Sequence, residues 1–354
     1  MMEPCFPLEI LICPECKQDS LKPHTFQRKG ERNQDGILVC EVCKNWFIIE
    51  DNILEFLKTD INKDRKAVFS HQYEKELTDL NLNFDEIENT VITQEISQKR
   101  GQSEFFNNFE ENYPIESQNF WLAYYRMTID EFSKKTRPHS RILDFGCGTG
   151  LGALPFLNGK HSVVGIDISR NMLKKAIARV PEAQRGRHFF FVADAEELPF
   201  KKDTFDYCVG MGILHHLHNP RRAIQSVYNC LKSEGIYFGH ENNKTFLRPL
   251  FDLLMKFCTL WEEEAGEEQL LSMENIKSLY SNFMVEIKTH VFLPPHIFNL
   301  FNLETTYNFL RISDSFFSTI PLLKNHGGTI VFEAKKEENS KSILREDQFQ
   351  NKKM

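Results

Sequence analysis

A glycine-rich turn between two apolar runs holds the residues best suited to chemistry. Gly146, Gly148 and Gly150 follow one apolar run, and Asp167 ends the next, 21 residues after Gly146. In open α/β sheets such a turn brings backbone against a nucleoside, and a carboxylate at the tip of the second strand accepts hydrogen bonds from both ribose hydroxyls. Dinucleotide sites have a third glycine that lets the next helix pack closely while its amino end faces the pyrophosphate, and Leu151 stands at that position here. The turn therefore predicts a nucleoside site, and its spacing favours a ligand without a pyrophosphate.

Two further segments follow in order along the chain. Residues 189–200 predict a third strand ending in Asp194-Ala195, and residues 203–212 predict a fourth strand, followed by a loop over residues 213–220. Together with the glycine turn, these segments resemble the motifs of the class I S-adenosylmethionine-dependent methyltransferases, in particular the methyltransferase type 11-like group. The resemblance covers about residues 140–240 well and continues more loosely to residue 335.

That resemblance implies S-adenosylmethionine as the cofactor and a set of residues around it. In the family, the carboxylate at the Asp167 position binds the ribose, and the acidic side chain at the Asp194 position accepts the adenine amine. The implied cofactor residues are Asp144, Gly146, Cys147, Gly148, Gly150, Asp167, Ile168, Asp194, Ala195 and Met211. A second interpretation makes Asp167 a helix N-cap, although Ser169 is the better cap. Cys147 is interpreted as a small residue beside the ligand, since no His–Asp relay lies near it in sequence.

Methyl transfer from a sulfonium makes a general base optional, because the leaving group departs neutral and orientation and desolvation can supply most of the rate. His215 and His216 follow the fourth strand, near where the methyl group should point. Either histidine could accept a proton from a hydroxyl acceptor, and the other interpretation is packing at a helix start. The fourth strand ends in Gly210-Met211-Gly212-Ile213, which departs from the N-P-P-Y or D-P-P-Y of exocyclic amino-group base methyltransferases.

Four cysteines near the start of the chain form a second chemical motif. Cys13 and Cys16 make one C-x-x-C, and Cys40 and Cys43 make another after 23 intervening residues. Two such turns deliver four thiolates to tetrahedral Zn²⁺, so the spacing predicts a structural zinc site. A pair of disulfides fits less well, because nine cysteines and no signal peptide favour a reducing, cytoplasmic setting. The aromatic and apolar segment over residues 46–54 resembles the end of small zinc ribbons of the Trm112-like type.

Charge and hydropathy restrict the classes of partner that the sequence favours. The 354-residue chain has a formal net charge of −7, which disfavours broad electrostatic capture of nucleic acid. Residues 1–60 alone contain seven Lys and Arg against eleven Asp and Glu, so the ribbon is acidic as well. No run of about 18 apolar residues occurs, which excludes a transmembrane helix from the sequence pattern.

The elements that must position these residues alternate between strands and helices. Candidate strands fall at residues 141–145, 162–167, 188–193, 205–210 and 235–240, with a helix over residues 223–231. This alternation predicts an α/β fold with a doubly wound parallel sheet. Residues 284–293 and 328–335 resemble the closing antiparallel pair of the seven-stranded, Rossmann-like methyltransferase sheet.

The resulting organisation has four parts. We expect a zinc ribbon over residues 1–60, a helical cap or linker over 61–138, a methyltransferase domain over 139–336 and a disordered tail over 337–354. Aromatic residues in the cap could dock its helices on the sheet or contact the acceptor. An apolar insertion over about residues 294–325 leaves three roles open: lining a bulky or lipid-like acceptor site, lying on a membrane surface as a peripheral contact, or packing a lid helix.

The sequence thus favours S-adenosylmethionine-dependent methylation of a small-molecule, lipid or glycan-linked acceptor. Base methylation of ribosomal RNA is the alternative, because the fused zinc module resembles that of bacterial guanine-N1 enzymes, although the acidic charge opposes nucleic acid as a partner. A third class is a binding protein with an inactive methyltransferase fold, which the intact glycines and carboxylates disfavour.

Overall fold

The computed structural model describes residues 6–28, 34–82, 92–108, 116, 118–152, 154–157, 160–246, 248–257 and 270–337. Its strands are β1 Leu21–Arg28, β2 Gln34–Cys40, β3 Trp46–Glu50, β4 Ile53–Glu55, β5 Arg141–Phe145, β6 Ser162–Asp167, β7 His188–Val192, β8 Phe205–Met211, β9 Leu231–Asn242, β10 Phe283–His290 and β11 Thr329–Lys336. They form a single mixed sheet in the order β1-β2-β3-β4-β7-β6-β5-β8-β9-β11-β10. Of the predicted disordered tail over residues 337–354, residues 338–354 lie outside the described residues.

Helices surround this sheet. Those in the described residues are α1 Lys63–Gln72, α2 Glu74–Asp79, α3 Gln94–Asn107, α4 Asn119–Ser133, α5 Leu154–Leu157, α6 Arg170–Arg179, α7 Pro220–Cys230, α8 Arg248–Phe257, α9 Met273–Leu279, α10 Pro295–Phe298 and α11 Leu303–Phe317. Short 3-10 helices occur at Leu8–Ile10, Glu182–Gln184 and Leu214–His216. None of the helices in these ranges is long and apolar enough to cross a membrane.

Strands β5 to β11 confirm the doubly wound sheet predicted from the sequence. β6 and β7 lie on one side of β5, β8 and β9 lie on the other, and neighbours among these five strands are parallel. β11 runs antiparallel to β9, and β10 runs antiparallel to β11, which gives the expected closing pair. Because the strand order reverses at β5, the crevice for a ligand lies at the carboxyl ends of β5, β6 and β8.

The amino-terminal strands extend the same sheet. β1 to β4 form an antiparallel meander, and β4 lies parallel to β7, with Leu54 opposite Phe191. A second connection is an antiparallel bridge between Leu11 and Phe200. The four strands therefore cover the β7 edge, which would otherwise present unpaired backbone groups.

Helix α3 of the predicted cap lies at the carboxyl ends of the strands, and helix α4 packs along one face of the sheet. α4 docks through buried aromatic side chains; for example, Phe132 stacks on Phe238 of β9 with ring centroids 4.6 Å apart. The apolar insertion packs partly on this helix, since Phe120 of α4 stacks on Phe298 of α10 at 5.8 Å. Its outer side chains remain exposed, with Leu300 and Leu322 both at least 80% accessible. The inner half of the insertion thus packs the core.

Candidate cofactor and acceptor site

The glycine turn after β5 has the backbone conformation that its sequence predicts. Gly146, Gly148 and Gly150 have φ values of +69°, +51° and +83°, a region that side chains with a Cβ rarely adopt. At Gly146 space is also limiting, because a Cβ there would lie 2.2 Å from Cδ1 of Ile213. The Cys147 N–H donates to the carbonyl of Ile166 at 2.8 Å, which ties the turn to β6. The turn therefore exposes backbone rather than side chains to the crevice.

A cavity of about 1000 Å³ opens at this point, and we call it the strand-end cavity. Nine of the ten residues that the resemblance implies for the cofactor line it: Asp144, Gly146, Cys147, Gly148, Asp167, Ile168, Asp194, Ala195 and Met211. Gly150 does not line it and instead faces α6, where its Cβ position lies 3.1 Å from the Cβ of Ala176. The cap supplies part of the remaining wall, through Lys99, Gln102 and Phe106 of α3 and Tyr125 of α4.

Asp167 is held by two backbone donors at the tip of β6. The Gly148 N–H donates to its Oδ2 at 2.8 Å, and the Ser169 N–H donates to its Oδ1 at 2.9 Å. Burial raises the pKa of the Asp167 carboxyl, and these two N–H groups oppose that effect. The helix N-cap is Ser169, whose hydroxyl accepts from Met172, so Asp167 is not needed for that role. Its carboxylate is oriented into the cavity.

Asp194, after β7, has a cationic partner that the sequence did not indicate. The Lys99 ammonium lies 2.7 Å from Asp194 Oδ2, 3.1 Å from Glu196 and 2.7 Å from Glu95, and its side chain is 5% exposed. Burial raises the pKa of Asp194, and the Lys99 charge opposes that increase. Since Lys99 is on α3, this buried cluster fastens the cap helix to the loop after β7. Because Lys99 and Asp194 are 95 positions apart in sequence, no local pattern indicates their ion pair.

Asp144, at the base of the turn, is the least compensated carboxyl in the cavity. Its Oδ2 is buried and has no hydrogen-bond partner among the described residues. Burial raises the pKa of Asp144 to about 7, with a further contribution from the charge of Asp167. A buried carboxyl without a partner is costly, and such groups concentrate at functional sites.

The two histidines after β8 occupy different positions. His216 lines the cavity, and its ring packs edge to face on Phe106 at 5.5 Å. His215 does not line it, and its Nδ1 lies 2.8 Å from Oε2 of Glu241 on β9. Glu241 also accepts backbone N–H groups of Ile213 and Leu214 through Oε1. Burial alone would raise the pKa of the Glu241 carboxyl. The hydrogen bond and charge of His215, together with the Leu214 N–H, outweigh burial and hold that pKa below its ordinary value. Glu241 thus fixes this loop, and no local pattern in the sequence indicates that role.

The cap aromatics divide between the core and the strand-end cavity. Phe120 and Tyr124 are buried in the core beneath α4, and the Tyr124 hydroxyl is hydrogen-bonded to Thr329. Phe106 and Tyr125 face the strand-end cavity. Phe109 and Tyr113, two other aromatics of the cap, lie outside the described residues.

The four cysteines of the ribbon converge at one point. Their Sγ atoms all lie within 4.8 Å of one another, with Cys13 and Cys43 at 3.6 Å and Cys16 and Cys40 at 3.5 Å. All four thiols are free, and these separations are too long for S–S bonds of about 2.05 Å. A tetrahedron with Zn–S bonds of about 2.3 Å has edges of about 3.8 Å, so the cluster fits a Zn²⁺ ion. None of the four cysteines lines the strand-end cavity.

Comparison with known proteins agrees with this geometry. Residues 143–239 match a family model described as "Methyltransferase domain". The chain is 29% identical over 166 residues to the ubiquinone/menaquinone biosynthesis C-methyltransferase UbiE of Wigglesworthia glossinidia brevipalpis, which covers 45% of this chain and 64% of that protein. It is 35% identical over 146 residues to 2-methyl-6-phytyl-1,4-hydroquinone methyltransferase 2, chloroplastic, of Oryza sativa subsp. japonica, which covers 40% and 38%.

One of the solved structures similar to this chain contains a bound methyl donor. Phosphoethanolamine N-methyltransferase 2 of Haemonchus contortus, in complex with S-adenosyl-L-methionine, is 19% identical with a TM-score of 0.43, covering 66% of this chain and 60% of that one. The match spans less than two thirds of the length of each of these three proteins.

Proposed function

We propose that this chain, which carries a class I S-adenosylmethionine-dependent methyltransferase domain over residues 143–239, transfers a methyl group to a small-molecule acceptor. The observation that carries the proposal is the convergence of Asp167 and Asp194, from the ends of neighbouring strands, on one cavity beside the glycine turn. Two carboxylates so placed suit a nucleoside, one for the ribose hydroxyls and one for the adenine amine.

Each wall of the strand-end cavity then has a role toward the donor. Asp167, whose position two backbone N–H groups fix, would accept hydrogen bonds from the ribose hydroxyls, and Asp194, whose position Lys99 fixes, would accept one from the adenine amine. Asp144 would supply negative charge for the ammonium group of the methionine part, because it lines the cavity and its buried Oδ2 has no hydrogen-bond partner among the described residues. Glycines at the turn allow the backbone to approach closely.

The donor supplies an electrophilic methyl group. An acceptor that took this methyl group would release its proton to solvent or to a base. This chain contributes orientation and exclusion of water, through Phe106 and Tyr125 above the cavity and Met211 at the end of β8. His216 is the candidate base that lines the cavity, and Glu241 holds its neighbour His215 in place.

A small-molecule acceptor, with lipid and glycan-linked molecules in the same class, is favoured over RNA. The net charge is −7, and the relatives named above methylate quinone-type molecules according to their names. The exposed Leu300, Phe316 and Leu322 of the insertion support contact with an apolar partner, such as a lipid tail or a membrane surface.

For the ribbon we propose one structural Zn²⁺ bound by Cys13, Cys16, Cys40 and Cys43. The cluster offers four thiolates in a small volume, which is the donor set of closed structural zinc sites. Its place next to β7, through β4, makes the ribbon a support for the loop that carries Asp194.

The acceptor class can be tested by tritium transfer. The full chain is incubated with S-adenosylmethionine labelled in the methyl group and with a cell lysate separated into RNA, lipid and small-molecule fractions. We expect label in the lipid or small-molecule fraction, and much less of it with the Asp167→Ala variant when S-adenosylmethionine is below saturation. Label in RNA alone would reverse the assignment in favour of ribosomal RNA. Absence of any S-adenosylmethionine binding would contradict both enzymatic functions.

A further inference from the structure

The sheet has two outer edges, and the strands that form them differ. β1 and β10 are the end strands of the sheet order. β1 contains Pro23, which has no backbone N–H to donate, and its register with β2 shifts between Thr25 and Gln27. Proline and bulge-like irregularities are features by which natural edge strands avoid pairing with another chain. The β1 edge is therefore protected.

β10 has neither form of protection. Its residues, Phe283–His290, pair with β11 in one unbroken register and contain no proline. Among the described residues, no backbone hydrogen bond reaches residues 284–288 from outside the sheet. Alternate residues of an edge strand point their N–H and C=O groups away from the neighbouring strand. β10 thus presents a regular row of backbone donors and acceptors along its outer side.

The side chains of β10 leave room for a further strand. Because successive side chains of a strand alternate between faces, Met284, Glu286 and Lys288 share one face. All three are exposed, Met284 at 50% and the Lys288 side chain at 65%. On the opposite face, Val285 and Ile287 pack against the core and are only half-buried. A strand beside β10 would remove more of that apolar surface from water.

Two copies of β10 can pair with each other in only a few registers. When identical strands meet edge to edge in antiparallel orientation, a two-fold axis perpendicular to the sheet relates them, and residues directly opposite each other have side chains on the same face. The axis must then pass beside one residue, which lies opposite its own copy. An axis between two residues would place side chains of opposite faces together.

Ile287 is the centre at which the charges of the two copies match. With the axis at Ile287, Glu286 of each copy lies opposite Lys288 of the other, so two cross-strand ion pairs form. An axis at Glu286 or Lys288 places like charges opposite each other, and an axis at Val285 or Thr289 gives neither residue an opposite charge. Ile287 also lies next to the middle of β10, so this register pairs nearly the whole strand.

We propose that the β10 edge binds the β10 edge of a second copy of this chain, antiparallel and centred at Ile287, so that the two sheets become continuous. A lone lysine on an edge strand opposes pairing, whereas in this register Lys288 is matched by Glu286 of the other copy. Lys288 is also 3.6 Å from Glu131 of α4, but that pair is exposed and contributes little free energy. The dimer is independent of the proposed function, because β9 and β11 separate β8 and the strand-end cavity from β10.

Analytical ultracentrifugation of the full chain tests the inference. We expect the wild type to dimerise at concentrations up to about 100 μM, and Glu286→Lys and Lys288→Glu each to raise the dissociation constant about thirtyfold, because two attractive cross-strand pairs become repulsive. An equimolar mixture of the two variants should dimerise about as tightly as the wild type, since both charged pairs between unlike variants are attractive again. Such a rescue also shows that both variants are folded.

Lys174→Glu is the matched control, because it makes the same charge change at an exposed position of α6, which packs against β6 and β7. It should dimerise as the wild type does. A wild type that stays monomeric over this concentration range, or single variants that dimerise as tightly as the wild type, would overturn the inference. A mixture no tighter than the single variants alone, with both folded by circular dichroism, would overturn the register centred at Ile287.

Discussion

Replacing Asp144 by asparagine should stabilise the free protein and weaken its binding of S-adenosylmethionine at the same time. The pKa of Asp144 is about 7 in the folded chain against an ordinary value of 3.8, so the structure disfavours its ionised form by about 4 kcal/mol. A carboxyl pKa that is raised on folding means that the folded state keeps a proton that the unfolded chain has released. Stability contributed by this group is therefore present below about pH 4 and is lost as the pH rises to about 7.

The Asp144→Asn variant removes that loss because the amide does not ionise. Chemical unfolding of the free protein at pH 8 should show the variant to be more stable than the wild type by up to about 4 kcal/mol, and the two proteins should converge toward pH 4. A variant that is less stable by the same amount at both pH values would refute the assignment of a strained, partly protonated carboxyl.

Binding of S-adenosylmethionine should show the opposite preference. If Asp144 must be ionised to pair with the donor's ammonium group, wild-type affinity should fall about tenfold between pH 8 and pH 6, as the ionised fraction of a group with pKa near 7 drops from about nine-tenths to one-tenth. Calorimetry on both proteins isolates this effect, because titration of the ligand itself is common to them. Identical pH dependence of affinity in wild type and Asp144→Asn would contradict the role given to this carboxyl.

Three further predictions concern groups around the cavity and the ribbon. Lys99→Met leaves Asp194 and Glu196 buried without their cation, so we expect a loss of about 3 kcal/mol in unfolding free energy and weaker donor binding. The control is Lys58→Met, which removes a partly exposed ion pair with Glu197 and should cost less than about 1 kcal/mol. Glu241→Gln should destabilise the chain at pH 7, because a carboxyl pKa lowered on folding contributes stability that is present above the ordinary value of 4.5 and is lost as the pH falls through the lower folded value. Destabilisation that does not decrease below pH 4.5 would argue against this. Metal analysis should find about one zinc per chain, absent from Cys40→Ser, and a folded wild type without zinc would overturn the ribbon assignment.

Local patterns in the sequence are sufficient to predict the strands and the glycine turn. The apolar runs ending at Phe145 and Asp167 coincide with β5 and β6, because a buried parallel strand reads as a continuous apolar segment bounded by glycine or a polar residue. The glycine spacing likewise indicates the position of the turn at the cavity, because the positive φ of Gly146 favours a residue without a Cβ.

Partners across the fold could not be predicted in the same way. The spacing of Cys13 and Cys40 predicts a ribbon, but nothing local predicts that β4 lies beside β7. That pairing depends on which strand of the large sheet has a free edge, and the free edge is set by the whole fold. Lys99 gave no local sign of its ion pair with Asp194, and Glu241 gave none of its contact with His215. Spacing along a helix or strand indicates the face that a side chain occupies, whereas its partner is set by how distant elements pack.

The aromatic residues of the cap illustrate the same limit. Tyr124 and Tyr125 are neighbours in sequence, yet the first is hydrogen-bonded to Thr329 in the core and the second faces the cavity. Successive helical positions point about 100° apart, so the division is dictated by the orientation of α4 on the sheet, which composition does not encode.

Equilibrium binding of tritium-labelled S-adenosylmethionine to the full chain tests the central claim most directly. We predict one saturable site per chain, weakened by about 2 kcal/mol, or about thirtyfold, in Asp167→Ala, because the ribose hydroxyls lose their acceptor. Asp203→Ala, which removes an exposed carboxylate of the loop before β8, should bind as the wild type does. No saturable binding by the wild type, or equal affinity in wild type and Asp167→Ala, would contradict the account.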